Sequence, residues 1–181
     1  VTLHSNIEEA LETQTDLVWY PNQIDQRVDI SQSRKLGRRV ITTYLDLIAY
    51  DIGKYHGDEN AWAAYRATQR TIALSVDGIT TISADVAKRL YQEAPRLDTK
   101  RIQPIPLGLD HITTQTIKER PQELKTSSRP FILVLGNDFQ HKNRDFVIDV
   151  WQCVLEMGIN VDLVLAGLHV KSSSSQEQES Q

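Results

Sequence analysis

Five residues in a row, Phe131 to Leu135, are apolar and rich in β-formers, with no polar position among them. Such a run predicts a parallel strand buried on both faces. Gly136 ends it and a polar turn follows. From Asn143 the period changes: Phe146, Val147, Val150, Trp151, Val154 and Leu155 recur at helical spacing, so a helix is expected over 144–157 with Asn143 capping its start. A second apolar run, 161–166, stopped by Gly167, completes a strand–helix–strand unit of the kind joined by one right-handed crossover.

Upstream the alternation is that of several βα units. Residues 7–13 support no more than a helical turn. The run 16–20 reads as a buried strand stopped by Pro21, and 23–35 is polar with little periodicity, so it is expected to contain a loop. Residues 38–44 are a β-branched strand bounded by Gly37. A helix is expected over 60–74, with Trp62, Tyr65, Ile72 and Ala73 available to one face and the aromatics as core. Next come a strand at 78–82 and a helix over 84–91, with Ser83 placed to cap it and Asp85 in its first turn. The strand near 101–107 carries Pro104 and Pro106, which restrict it to an edge or a departing chain. Between 111 and 129 no apolar stripe survives, and this stretch reads as a linker. The pattern therefore gives an α/β protein in two β/α layers, 1–110 and 130–181, joined by 111–129.

Composition narrows the function classes. The chain has 181 residues, 40% hydrophobic and 24% charged, enough for one full domain and a remainder but not for two of doubly wound size. A net charge of -4 and no Lys/Arg cluster argue against nucleic acid as a partner. One cysteine, Cys153, excludes a disulfide framework and a cysteine-based zinc site; its place on an apolar helix makes it a buried small hydrophobe, and a reducing compartment is expected. No segment approaches the roughly twenty apolar residues of a membrane span, and the start lacks a signal peptide's pattern. The chain begins at Val1 and ends in a Ser/Gln/Glu-rich run of low complexity after an apparent strand, so it reads as the middle of a longer protein.

The candidate chemistry sits at the corner 136–143. A strand whose carboxyl end turns through a glycine into a helix presents free backbone N–H groups and the positive end of the helix dipole, and it favours an anion. Lys142 would add a full charge there, pointing to a phosphate-bearing ligand. Taken alone, Lys142 reads first as a solvated surface charge. Asp46, at the end of the strand 38–44, is either a site residue or a turn cap for the segment after it. His56, alone in a loop, is either a substrate contact or an ordinary polar group. Ser83 has a capping task and lies in no Gly-x-Ser-x-Gly elbow, which leaves serine-hydrolase chemistry unsupported.

Three segments together carry a resemblance. Gly136, five residues, then Lys142 and Asn143 resembles the loop opening the second domain of family 4 (group 1) retaining glycosyltransferases. Asp77, Ile79, Thr80 and Ser83 match that family's D-x-I-T-x-x-S run. Ile102, Ile105, Pro106, Gly108, Leu109 and Asp110 follow its I-x-x-I-P-x-G-V-D run. The resemblance covers roughly residues 16 to 167. It implies the GT-B arrangement: the chain would be part of an acceptor-side Rossmann-like domain and the first βαβ unit of a donor domain, moving a sugar from a nucleotide-diphosphate sugar to a glycan or lipid-linked acceptor with retention.

In the resemblance, Gly136, Asn137 and Lys142 would bind the donor diphosphate, with His141, Asn143 and His56 as further candidates and Asp46 in the catalytic place. Two departures stand out. Leu45 occupies the histidine's place in a T-x-H-D motif, and Asn137 stands where the family has an arginine after the glycine. No metal or other cofactor is implied, since the chain has no Asp-x-Asp and its carboxylates are scattered. The family's paired glutamates would lie beyond residue 181, so this stretch alone is expected to be inactive. The resemblance further implies a cytoplasmic protein, with peripheral contact at the inner face of a membrane allowed. The rival readings are a degenerate, non-catalytic module that binds a carbohydrate, nucleotide or protein, and a different GT-B enzyme such as an epimerase or a phosphorylase.

Overall fold

The computed structural model describes residues 7–10, 15–24, 29–109 and 128–168. The chain divides into two compact units, 1–112 and 113–181. The expected linker (save residues 128 and 129) and the Ser/Gln/Glu-rich tail lie outside the described residues.

The first unit opens with one helical turn, α1 (Ile7–Ala10), and is built on four parallel strands: β1 (Thr15–Tyr20), β2 (Gly37–Tyr44), β3 (Gly78–Thr81) and β4 (Ile102–Pro104), ordered β1-β2-β3-β4. The helices between them are α2 (Ile30–Leu36), α3 (Ile48–Asp51), α4 (Glu59–Ser75) and α5 (Ala84–Glu93). In-register residues of parallel strands share a face, so Val18 and Val40, then Thr42 and Ile79, then Ile79 and Ile102 point the same way. Val40, Tyr44 and Ile79 pack there with Ile72 and Ala73 of α4 and Leu90 of α5, and Ile30 of α2 lies against the same cluster. Three helices thus cover one face. Spatial order equal to chain order requires this, because right-handed crossovers stepping in one direction deliver every helix to the same side.

The opposite face carries Leu17 and Trp19, the latter 57% exposed. The Trp19 indole donates to Thr43 Oγ1 at 3.1 Å, and Thr43 shares a hydrogen bond with Thr80 at 2.9 Å, a polar chain across three strands. On the covered side Tyr44 donates to the Gln69 carbonyl at 2.8 Å and the Gln69 amide donates to the Ile24 carbonyl, while the buried Thr42 hydroxyl meets no partner among the described residues.

Two stretches hold more regular structure than their patterns show. The polar stretch before β2 holds a helix, α2, whose Asp29 cap accepts from Ser31 N at 2.8 Å. Its inward residue is Ser33, which meets the Tyr20 hydroxyl at 2.7 Å, so the buried position is polar and no apolar period marks the helix. The loop before α4 likewise contains α3 and a 3-10 turn, Gly53–Tyr55. By contrast, Ser83 caps α5 as its position predicts, accepting from Val86 N at 3.2 Å, and β4 stands at the edge of the sheet.

The second unit is a single parallel pair, β5 (Phe131–Leu135) and β6 (Asp162–Ala166), joined through α6 (Arg144–Glu156). β5 is not buried on both faces. Phe131, Ile132, Leu133 and Leu135 are all exposed, since two strands and one helix supply too little surface to cover a sheet twice. Cys153 is also exposed, not buried. The apolar arc of α6 is wider than the sheet beneath it, and Cys153 lies on the excess.

Candidate functional site

β5 ends on Leu135, and Gly136 turns the chain with φ +125°, a region L side chains rarely adopt. Gly136 N still donates to the Ala166 carbonyl at 2.9 Å, so the ladder with β6 runs through the turn. A 3-10 turn, Gln140–Lys142, follows, then Asn143 in the left-handed region at φ 50°, ψ 48°, and then α6. Lys142 folds back over the glycine: a Cβ at Gly136 would stand 3.3 Å from Lys142 Cε and 3.6 Å from Cδ. Lys142 is exposed as a residue, and the ion pairs among the described residues do not include it.

Opposite, Gly167 takes φ +152°, and any Cβ there would collide with the Gly136 carbonyl. The loops after β5 and β6 are therefore pressed together backbone to backbone. Asn137 Oδ1 accepts from Leu168 N at 3.2 Å, and Asp138 N donates to the Leu168 carbonyl at 3.4 Å.

Two residues that the sequence did not single out fix this corner. Asp138 is 0% exposed, and Arg144, the first residue of α6, is 1% exposed with its guanidinium on the Gly136 carbonyl. An Arg directly after Lys142 and Asn143 reads as one more surface charge. Only the return of α6 beneath the glycine buries it.

Five of the sequence-derived candidates are brought together, because Gly136, Asn137, His141, Lys142 and Asn143 share one turn. Asn143 stands at the head of α6 but makes no side-chain cap hydrogen bond. The preceding 3-10 turn forces it left-handed, away from the extended geometry that side-chain capping needs. The first-turn amides of α6 are thus not taken by a cap, although Asp145 brings an acidic side chain into that turn. The His141 ring stacks on Phe139, centroids 5.7 Å apart.

Asp46 and His56 belong to the first unit. Asp46 Oδ1 accepts from Ile48 N at 2.9 Å and so braces the turn into α3, whose N-cap position is Leu47. Gln23 Oε1 accepts from Leu45 N and Asp46 N at 3.1 and 3.3 Å, holding the end of β2 from outside. His56 Nε2 meets the Ala49 carbonyl at 2.8 Å and its ring leans on Tyr65. Among the described residues no cluster of His, Cys, Asp and Glu is arranged to hold a metal ion. Nor is any described helix long and apolar enough to cross a membrane.

The class defined so far is a parallel α/β protein with Rossmann-like layers and a glycine-opened strand-to-helix corner. No protein-family model matches the chain, and no curated protein matches it.

Proposed function

We propose that the corner 136–143 receives the diphosphate of a nucleotide-sugar in a retaining glycosyltransferase of GT-B type, in which the first unit faces the acceptor. The observation that carries this reading is Lys142 laid across Gly136 at the uncapped head of α6. As the sugar–phosphate bond breaks, negative charge grows on the departing diphosphate, and preorganised amides with a fixed cation stabilise it, typically by several kcal/mol per donor. The missing side chain of Gly136 leaves room for the Lys142 stem against the main chain, and the Lys142 ammonium and the amides at the start of α6 converge on the phosphate. Arg144 acts from below by holding the Gly136 carbonyl, and so orients the turn. The acceptor is a glycan or a lipid-linked glycan, and no metal is required by the side chains present.

The test is a titration of UDP and GDP into the protein. Lys142→Ala weakens nucleoside diphosphate binding about ten- to hundredfold, the range for one charge-assisted contact. Unchanged affinity removes Lys142 from the site. A second reading, a binding module without chemistry, is favoured by Leu45 at the histidine's place and by Asn137, whose side-chain oxygen is committed to Leu168 N. Full diphosphate affinity without sugar transfer would establish it.

A further inference from the structure

We draw no further inference here: the strongest candidate, the cluster of Arg66, Arg70 and Arg89 where α4 and α5 meet, converges on Glu93 and Asp51 of the same unit, and nothing in the structure shows an outside anion that it would take in their place.

Discussion

Asp77 shows how a motif residue can serve the fold first. Its Oδ2 accepts from Val40 N at 2.8 Å and from Arg34 at 3.1 Å, while its own N–H donates to the Val40 carbonyl at 2.8 Å. One side chain thus extends the β2–β3 ladder past the strand end. Burial pushes the Asp77 carboxyl up, but the Val40 amide and the Arg34 guanidinium outweigh it and hold the group below its ordinary 3.8. A carboxyl lowered in the folded state contributes stability above its unfolded value, and that contribution is lost as pH falls through the folded one. Asp77→Ala is expected to cost about 1–3 kcal/mol in urea unfolding near neutral pH, with the deficit shrinking below about pH 4. The capping role of Ser83 was legible because it is local, three residues from its partner. That of Asp77 was not, because its partners arrive from β2 and α2.

At the scale of elements, Glu93 joins α3, α4 and α5. The Tyr50 hydroxyl donates to it at 3.0 Å, and Arg66, Arg70 and Arg89 reach it at 3.5, 3.6 and 3.7 Å. Arg66 is held over the faces of Tyr50 and Trp62, its guanidinium carbon 4.5 and 5.1 Å from the ring centroids. Burial raises the Glu93 carboxyl, and the Tyr50 hydrogen bond with the surrounding arginines more than reverses this, leaving it below its ordinary 4.5. Glu93→Gln removes the one negative group that three guanidiniums share and is expected to destabilise by about 1–2 kcal/mol at pH 7. Its stability should then vary less than the wild type's between about pH 5 and 3, as followed by circular dichroism. The long helices and the strands stood out in the sequence because their periods are apolar and extended. α2 did not, because a serine occupies its inward position, and neither did the left-handed Asn143, whose conformation is imposed by the 3-10 turn before it.

For the whole molecule, the two units differ in how well they are covered. β2 and β3 lie inside a four-stranded sheet under three helices, whereas β5 and β6 form a lone pair with exposed apolar side chains. Amide exchange is therefore expected to be slowest across β2 and β3 and faster by orders of magnitude across β5 and β6. A peptide of residues 128–168 alone should unfold or self-associate. A monomeric peptide with slow exchange in both strands would contradict this. The parallel α/β class was readable from alternating periods. How much of β5 is covered was not, because an apolar run looks the same whether a neighbouring layer meets it or not.

The junction of Gly136 and Gly167 bears on how this sequence can drift. Lys142 is a surface side chain that many residues could replace without disturbing the chain, but position 167 admits no Cβ while the Gly136 carbonyl lies against it. Randomising both positions and selecting only for resistance to proteolysis should return glycine at 167 and nearly anything at 142. The hinge pin would outlast the tool mounted on it, and a descendant without ligand would still carry the imprint of the corner in its main chain.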